Sequence, residues 1–348
     1  MQSEPGPLFF TIFIPTYNGQ EFIQSCLESA INQDYPFYNI VILDSGSTDN
    51  TLNIISNYLN AGEKIKIEYT NQRLTIIQNW SRILDYPKNE WFTILGQDDI
   101  LSLDFLSKIR LLILKNNNSF LYRSNFNLID EDGHTIRKCK PIPEIQNANE
   151  FITKRFQSLQ DSFATGYVIN SEAYRHSGGI NYYPDLLFAD DVLWVKLSLD
   201  KPVITSPEFL FNYRFHSSST SGTPNQDNLV EAGELYLSFL NQSGDNFFLI
   251  KRAIEKYAHY QFVPILRAYY CLAVLYYAHL GLTLPQSYLI KIRSVCKNIY
   301  TSEDVVLKNF RCQVFNILNY LPFRKPLAIL IFKLYPGLMA KAKFNKPL

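Results

Sequence analysis

Four groups of side chains in this sequence could bind a divalent cation or a phosphate group. They are Asp44, the adjacent pair Asp98-Asp99, a second adjacent pair Asp190-Asp191, and His216. Hard cations such as Mg²⁺ are often held by one or two carboxylates together with substrate phosphates, and imidazole also binds metals. A metal at Asp98-Asp99 would act as a Lewis acid on a departing diphosphate. A carboxylate at Asp190-Asp191 could act as a general base if burial or the neighbouring acid raised its pKa.

Each group also has an ordinary structural explanation when it is taken alone. Acidic pairs such as Asp98-Asp99 and Asp190-Asp191 are favoured at helix N-termini, where a carboxylate caps the first turn or complements the helix dipole. Asp44 could close an Asx-turn before Gly46 instead of accepting a hydrogen bond from a nucleotide base. His216 could be a hydrogen-bonded surface or core residue. The chemical interpretation therefore depends on whether the fold brings these residues together.

Two neighbouring residues have similar alternatives. Arg214 could bind a phosphate through two hydrogen bonds, or it could form an ion pair with a surface acid. Trp194 lies on the predicted helix that presents Asp191. Its ring could stack on a sugar, although packing in the core explains the residue better.

The first hundred residues contain four predicted strands that alternate with helices, which is typical of βαβ units and a mainly parallel sheet. The strands are Leu8–Ile14, Asn39–Leu43, Ile65–Tyr69 and Trp91–Leu95. Three polar loops, at 15–19, 44–49 and 96–99, follow strand ends. Ligands bind at the carboxyl ends of strands in open sheets of this type. The loops therefore predict one shared site.

The remaining sequence predicts a second group of strands followed by a helical region. A hairpin over Phe120–Arg137 turns at 131–133, and strands follow at Thr165–Asn170 and Phe209–Phe215. Residues 217–228 are rich in Ser, Thr, Gly and Pro, which indicates a loop or linker. We expect a catalytic domain over residues 1–222 and a helical region over residues 223–348.

Composition narrows the class of protein. The 348 residues are 47% hydrophobic and 19% charged, as in globular proteins, and the net charge of +1 favours no particular partner. The odd number of cysteines, five, without a CxxC pair favours reduced thiols in the cytoplasm. Neither a secretory signal nor an uninterrupted apolar stretch of 18 residues is present in the sequence.

The order of the motifs resembles that of glycosyltransferase family 2, whose members have the GT-A fold. TIFIPTYNGQEFIQSCLESAINQDYPFYNIVILDSGSTDNT is similar to the family's opening segment. LGQDDIL resembles its aspartate-rich metal motif, and FADDVLWVKL resembles the acidic segment that carries the catalytic base. TGYVINSEAYRHSGGI matches the strand and turn before that segment, and YRFHSSSTSG resembles the His-containing segment that closes many bacterial members. The resemblance covers residues 8–222.

This resemblance implies an α/β fold with a GT-A-type, Rossmann-like mixed sheet flanked by helices and an α-helical C-terminal extension. The implied reaction is inverting transfer of a sugar from a nucleotide-diphosphate sugar, with a UDP-sugar favoured, to a hydroxyl of a glycan or lipid-linked acceptor. The implied cofactor is Mn²⁺ or Mg²⁺. The implied process is synthesis of a cell-surface polysaccharide, such as the O-antigen of lipopolysaccharide or a capsule.

Carried over by position, the resemblance also implies roles for single residues. Asp191 would be the base, Asp99 would ligate the metal with His216, and Asp98 would lie near the ribose or metal. Asp190, Trp194 and Arg214 would lie near the sugars. The residues expected to contact the nucleotide are Pro15, Thr16, Tyr17, Asp44, Arg73 and Asn79.

Two positions depart from the family pattern. The family often has Asp-x-Asp-Asp, and Gly96 stands here at the first acidic position. This change leaves two carboxylates, Asp98 and Asp99, and the family pattern does not determine which of them binds the metal. The family's frequent Glu-Asp is Asp190-Asp191 here, so either residue could be the base.

The C-terminal tail has its own charge pattern. From Val305 to the end there are eight Lys or Arg residues and neither Asp nor Glu. A basic amphipathic helix is typical of binding to an anionic membrane surface, whereas helices packed on the catalytic domain with lysines in solvent explain the pattern equally well. The first alternative predicts a cytoplasmic protein that is peripheral on the inner face of the membrane.

Two other classes of function would require different features of the sequence. A non-catalytic module that binds nucleotide-sugars or glycans on the same fold would need no base. A dinucleotide oxidoreductase is disfavoured because G-x-G-x-x-G does not follow the first strand. Nucleic-acid binding has no supporting motif.

Overall fold

The computed structural model describes residues 6–59, 64–86, 88–216, 224–242 and 244–344. The chain divides into two compact units. The first, the α/β unit, comprises Met1–Phe151, Leu159–Tyr182 and Asp190–Ser217. The second, the helical unit, comprises Ile152–Ser158, Tyr183–Ala189 and Ser218–Leu348. The predicted linker and the predicted domain boundary at residue 222 lie largely outside the described residues, so the domain bounds stay a prediction.

The α/β unit is built on a sheet of ten strands. They are β1 (Phe10–Thr16), β2 (Tyr38–Asp44), β3 (Ile65–Glu68), β4 (Trp91–Ile94), β5 (Ile100–Leu101), β6 (Leu121–Ile129), β7 (Thr135–Lys138), β8 (Ile145–Gln146), β9 (Tyr167–Asn170) and β10 (Val203–Arg214). The helices connected to this sheet are α1 (Ile23–Ile31), α2 (Thr51–Leu59), α3 (Ile76–Asp85), α4 (Phe105–Lys115), α5 (Ala148–Phe156), α6 (Ser171–His176) and α7 (Ala189–Ser198).

The main path through the sheet is β3-β2-β1-β4-β9-β6-β10-β5. Strands β1, β2, β3 and β4 pair in parallel. β9 is antiparallel to both β4 and β6, and β6 is parallel to β10. Since β9 runs opposite to both of its neighbours, β4 and β6 run in the same direction, and β10 shares it because it is parallel to β6. The carboxyl ends of β1, β2, β4, β6 and β10 therefore lie at one edge of the sheet.

Buried apolar residues of the strands and of α1 and α4 form the core of this unit. Ile12, Ile14 and Ile40 from the sheet pack with Leu27 from α1 and Ile109 from α4. These side chains recur with the periods of a strand and of a helix, as in two-layer packing. The helix α3 begins at a capping box in which Thr75 and Gln78 satisfy each other's backbone N–H groups.

The helical unit contains eight further α-helices in the part of residues 224–344 that the structure describes. They are α8 (Gln226–Leu240), α9 (Phe248–Ala253), α10 (His259–Leu280), α11 (Gln286–Asn298), α12 (Glu303–Leu307), α13 (Phe310–Tyr320), α14 (Arg324–Leu334) and α15 (Pro336–Lys341). A π-helical turn at Ile254–Ala258 leads into α10. Among the described residues, every helix is too short or too polar to cross a membrane.

The predicted fold class, a mixed sheet flanked by helices with a helical C-terminal region, is confirmed. Most predicted elements lie within two residues of the observed bounds, although the last predicted strand, Phe209–Phe215, belongs to the longer β10. The sequence analysis did not include the two-residue strands β5 and β8. Each of them forms only two residue pairs with β10, so neither has enough length to show an alternating pattern.

Candidate functional site

The loop after β4 contains the acidic pair and lies against the end of β10. The backbone N–H of Asp99 donates to the carbonyl of Gly96 at 3.0 Å, which folds residues 96–99 into a tight turn. The backbone N–H of Arg214, at the end of β10, donates to Oδ1 of Asp99 at 3.0 Å. The two parallel strands thus bring residues that are 115 positions apart into direct contact.

Asp99 is buried beneath this turn. Its side chain is 1% exposed, and its Oδ2 accepts a hydrogen bond of 2.7 Å from Oγ1 of Thr165. Burial raises the pKa of Asp99 well above its usual range, and the nearby charge of Asp98 raises it further. Both carboxylate oxygens of Asp99 are therefore engaged by the protein itself.

Asp98 is more exposed than Asp99 and pairs with His216. Nε2 of His216 lies 2.8 Å from Oδ2 of Asp98. The hydrogen bond to Asp98 raises the pKa of His216 above its ordinary value. The ring of Phe22 lies 5.0 Å from the imidazole ring, centroid to centroid. The sequence analysis paired His216 with Asp99 as metal ligands, but the structure pairs it with Asp98 because the carboxylate of Asp99 faces inward.

Arg214 organises the backbone around this pair. Its Nε donates to the carbonyl of Asp98 at 2.8 Å, and its Nη1 donates to the carbonyls of Asp130 and Glu131 at 2.9 and 2.7 Å. Its guanidinium lies 4.8 Å from the ring centroid of Phe22. Arg214 is buried, and these contacts connect the loops after β4 and β6. Arg214 thus supports the loop of Asp98, and its predicted place near the sugars stays a prediction.

Gly96 occupies the position at which the family often has an acid. A Cβ added here would lie 2.6 Å from Oδ2 of Asp99 and 2.8 Å from Oδ1 of Asp98. Separations under 3.0 Å require one of the groups to move, so a side chain at position 96 would displace the carboxylate oxygens of Asp98 and Asp99 from these positions. The glycine at this position therefore leaves room for the carboxylates of Asp98 and Asp99 to lie close to the backbone of residue 96.

Gln97 and Cys26 also support the loop, and the sequence analysis missed both. Oε1 of Gln97 accepts from the backbone N–H of Tyr17 at 2.9 Å, and its Nε2 donates to the carbonyl of Tyr17 at 3.2 Å. The thiol of Cys26 donates to the carbonyl of Gly96 at 3.2 Å. Burial raises the pKa of this thiol well above its ordinary value, and Asp99 and Asp98 raise it further. Both residues lie inside segments that resemble the family, LGQDDIL and the opening segment, but those resemblances do not indicate the contacts of Gln97 or Cys26.

The loop after β1 forms a second part of the candidate site. Pro15 and Thr16 are the last residues of β1 and are buried, whereas Tyr17 follows them in the loop. The guanidinium of Arg73 lies 4.6 Å from the ring centroid of Tyr17. This contact places a cation and an aromatic ring side by side, next to the Gln97 segment. The predicted nucleotide residues Tyr17 and Arg73 are thus brought together.

Asp44 and Asn79 occupy the end of β2. The carboxylate of Asp44 accepts hydrogen bonds from the backbone N–H groups of Gly46 and Ser47 at 2.9 and 3.0 Å, so the structure contains the Asx-turn arrangement. Asn79 is buried, and its Nδ2 donates to the carbonyl of Leu43 at 2.7 Å. Asn79 therefore supports the end of β2, and its predicted contact with the nucleotide stays a prediction.

The second acidic pair stands in the first turn of α7, as predicted. Asp191 is 1% exposed, whereas Asp190 is half-buried. Trp194 is 1% exposed and stacks on Tyr167, with ring centroids 4.0 Å apart. Trp194 is therefore a core residue that fixes α7 against β9, in agreement with the core alternative.

One group of three potential metal ligands occurs among the described residues, namely Asp130, Asp132 and His134. It lies in the turn between β6 and β7, and Oδ1 of Asp130 accepts a hydrogen bond from the backbone N–H of His134 at 2.8 Å. Asp132 and His134 are exposed. This arrangement is that of an ordinary polar hairpin turn, and it is separate from the Asp98–His216 pair.

Comparisons with known proteins bear on this geometry. Residues 11–169 match the model of the glycosyl transferase family 2. An uncharacterized glycosyltransferase of Rickettsia felis is 27% identical over 236 residues, which are 67% of this chain and 38% of that protein. A putative teichuronic acid biosynthesis glycosyltransferase of Bacillus subtilis is 24% identical over 134 residues, covering 38% of this chain and 53% of that protein. The matches thus span about half or less of these relatives' length.

Two solved structures have a similar fold. S. aureus TarS 1-349 in complex with UDP-GlcNAc superposes with a TM-score of 0.62 at 15% identity, covering 93% of this chain and 92% of that chain. The mannosyltransferase PcManGT from Pyrobaculum calidifontis, in complex with GDP-Man and Mn²⁺, superposes with a TM-score of 0.52 at 14% identity, covering 94% of this chain and 87% of that chain. These likenesses confirm the expected GT-A fold.

Proposed function

We propose that this chain, whose residues 11–169 match the glycosyl transferase family 2, transfers a sugar from a nucleotide-diphosphate sugar to a hydroxyl of an acceptor, with inversion at the anomeric carbon. The observation that carries the proposal is the Asp98–His216 pair, in which Oδ2 and Nε2 lie 2.8 Å apart at the carboxyl edge of the sheet. The edge also holds Tyr17, which follows β1, in contact with Arg73, which follows β3. Polar groups for both halves of a nucleotide-sugar therefore lie on one side of the sheet.

We assign a divalent cation, Mn²⁺ or Mg²⁺, to Asp98 and His216. With metal–ligand distances of about 2.1 Å, two adjacent ligands of an octahedron lie about 3 Å apart. The separation of 2.8 Å between Oδ2 of Asp98 and Nε2 of His216 fits this spacing. The bound cation would neutralise the charge that develops on the leaving diphosphate. The mannosyltransferase that shares the fold is described with Mn²⁺.

Asp99 then has a positioning role. Its buried carboxylate accepts hydrogen bonds from Thr165 and from the backbone of Arg214. These contacts fix the turn that presents Asp98, and Arg214 fixes the carbonyl of Asp98 as well. Ligands held by hydrogen bonds in this way keep their orientation toward the metal. This assignment replaces Asp99 as the predicted metal ligand.

We propose a UDP-sugar as the donor. The ring of Tyr17, against which the Arg73 guanidinium packs, offers a flat surface near the predicted base site, and Asp44 lies at the adjacent strand end. The TarS structure is described in complex with UDP-GlcNAc, which supports a uracil nucleotide on this fold.

We propose Asp191 as the general base. A base in the first turn of α7 would accept the proton of the acceptor hydroxyl, whose oxygen then forms a bond to the anomeric carbon. The bond between that carbon and the diphosphate oxygen breaks in the same displacement, and the electron pair leaves with the nucleotide diphosphate. Such a base contributes about 10²- to 10⁴-fold to the rate. The more exposed Asp190 is the alternative at the adjacent position.

The acceptor that we propose is a glycan or lipid-linked glycan used in cell-surface polysaccharide synthesis, such as O-antigen or capsule. The Bacillus subtilis relative is named for teichuronic acid biosynthesis. The helical unit carries exposed apolar side chains, of which Phe310 and Tyr320 are 76% and 72% exposed. Both residues belong to the segment from Val305 onward, which has eight Lys or Arg residues and neither Asp nor Glu. This composition favours peripheral contact with the anionic inner face of the cytoplasmic membrane.

The test of the proposed function is a panel of UDP-, GDP- and dTDP-sugars with and without Mn²⁺, followed by thermal unfolding and by release of the nucleotide diphosphate. A ligand at 100 times its Kd adds about 2.7 kcal/mol of stability. We expect a UDP-sugar with Mn²⁺ to raise the Tm most, and Asp191→Asn to keep that shift while losing turnover. Binding without turnover in the wild-type protein, with every acceptor fraction tested, would favour the non-catalytic binding module instead.

A further inference from the structure

We propose that the helical unit binds a single-chain lipid phosphate in a cavity between α10, α13 and α15. The cavity has a volume of about 780 Å³, which lies within the range of small-molecule sites. All of its lining residues belong to the helical unit, so the site is complete within it. The proposed ligand is defined by its chemistry, namely one apolar chain that ends in a phosphate group.

The wall of the cavity is largely apolar. Ala268, Leu272 and Leu275 contribute from successive turns of α10, and Phe315 and Leu338 contribute from α13 and α15. The spacing 268, 272 and 275 places the first three on one face of α10. Such a wall favours an aliphatic chain, because burying a chain removes apolar surface from water on both sides.

Three cations border the same cavity, namely Arg267, Arg311 and Lys341, and acidic residues are absent from its lining. None of the three forms an ion pair among the described residues. Nη2 of Arg267 donates to the carbonyl of Val305 at 2.8 Å, whereas its Nε is buried without a hydrogen-bond partner in the described part of the chain. An apolar cavity with an uncompensated cationic border is complementary to an amphiphile with an anionic head.

This charge pattern decides between possible occupants. A second apolar helix or another copy of the chain would cover the apolar wall but would leave three cations without counter-charges, at a cost in desolvation. A nucleotide or inorganic phosphate would pair with the three cations but would not cover the apolar residues of the lining. A lipid phosphate satisfies both parts. If the proposed transferase function also holds, a lipid-linked acceptor belongs to this class of ligand, and only that last link rests on the proposed function.

The test uses dodecyl phosphate below its micelle concentration with the full chain, and it reports binding rather than turnover. Phe315→Trp places a fluorophore in the lining, and Phe310→Trp places a matched one on the exposed surface of the same helix. We expect dodecyl phosphate to shift the emission of the Phe315→Trp protein to shorter wavelength, with little change in the Phe310→Trp protein. Equal responses of the two proteins would overturn the proposal, because they would indicate adsorption to the surface.

Titration calorimetry then distinguishes the contribution of the ligand's apolar chain to binding from that of its phosphate group. We expect Ala268→Trp, which fills the cavity, and Arg311→Glu, which reverses a border charge, to weaken dodecyl phosphate binding at least tenfold. Ala340→Trp and Lys333→Glu are the matched controls on exposed positions outside the lining, and they should bind like the wild type. Inorganic phosphate binding as tightly as dodecyl phosphate, or dodecyl maltoside binding equally well, would refute a lipid phosphate site. Because nucleotide-sugar binding is measured separately, failure here leaves the transferase proposal standing, and the reverse also holds.

Discussion

His216 and Asp98 are 118 residues apart in the sequence, yet Nε2 of the first lies 2.8 Å from Oδ2 of the second. The contact depends on the parallel run of β4 and β10, which end at the same edge of the sheet. Behind it, Thr165 and the backbone of Arg214 hold the buried Asp99. Asp98 and His216 would thus bind the metal, whereas Asp99 would position the turn that presents Asp98.

Replacing His216 with alanine should lower the affinity for Mn²⁺ in the presence of UDP by at least about tenfold, since it removes one of two proposed protein ligands. The matched control is His134→Ala, which alters the exposed turn with Asp130 and Asp132. Calorimetric Mn²⁺ titration with saturating UDP checks the result. Loss of affinity in the His134 variant but not in the His216 variant would move the metal to the hairpin turn.

Replacing Thr165 with valine should destabilise the protein by about 1–3 kcal/mol, because the buried carboxylate of Asp99 loses a hydrogen-bond donor. Thr135→Val, on the exposed strand β7, is the control and should stay within about 0.5 kcal/mol of the wild type. Urea unfolding measures both. If the two variants unfold alike, Asp99 does not depend on Thr165 and its positioning role fails.

Introducing the family's common acid by Gly96→Asp should reduce activity and stability. A Cβ at this position would approach oxygens of Asp99 and Asp98 to 2.6 and 2.8 Å, and overpacking of this kind costs about 1–3 kcal/mol. The added negative charge also opposes the two existing carboxylates. Thermal unfolding and steady-state rates check the outcome, with Gly6→Ala as a control in open space. A more active Gly96→Asp enzyme would contradict this account of the turn.

The two acids of α7 should differ in their effect on turnover. Asp191→Asn is expected to lower kcat by about 10²- to 10⁴-fold while the KM for the donor stays nearly unchanged, since a general base acts on the acceptor hydroxyl. Asp190→Asn is expected to have the smaller effect on kcat. The reverse order of effects would assign the base to Asp190, and no effect from either would remove the base from α7.

The sequence predicts the parts of the site that lie in short local patterns. The strand ends near Asp44 and Asp98-Asp99, the hairpin turn at residues 131–133 and the first turn of α7 all follow from periodicity and turn chemistry. The partner of each side chain does not follow from these patterns. His216 pairs with Asp98 rather than Asp99 because two hydrogen bonds, from Thr165 and the Arg214 backbone, turn the carboxylate of Asp99 inward.

Supporting residues are the hardest to predict. Gln97 lies inside the LGQDDIL segment, but that segment does not indicate what Gln97 contacts. Only the fold shows that its side-chain amide forms hydrogen bonds with the backbone N–H and the carbonyl of Tyr17. The burial of Asn79 and Trp194 likewise comes from residues distant in sequence that pack around them. Local sequence fixes the type of element, whereas the direction in which a polar side chain points depends on neighbours distant in sequence.

The position of β9 has a consequence for the order in which the protein can form. β9 separates β4 from β6 and β10, and both Arg214 and His216 come after it in the chain. The segment that matches the family model ends at residue 169, so a nascent chain of that length has Asp99 but not the backbone N–H that satisfies it. Contacts of such large sequence separation form slowly, since the loop must close before they contribute. Synthesis must therefore pass residue 216 before Asp99 gains the backbone donor of Arg214 and Asp98 gains its imidazole partner.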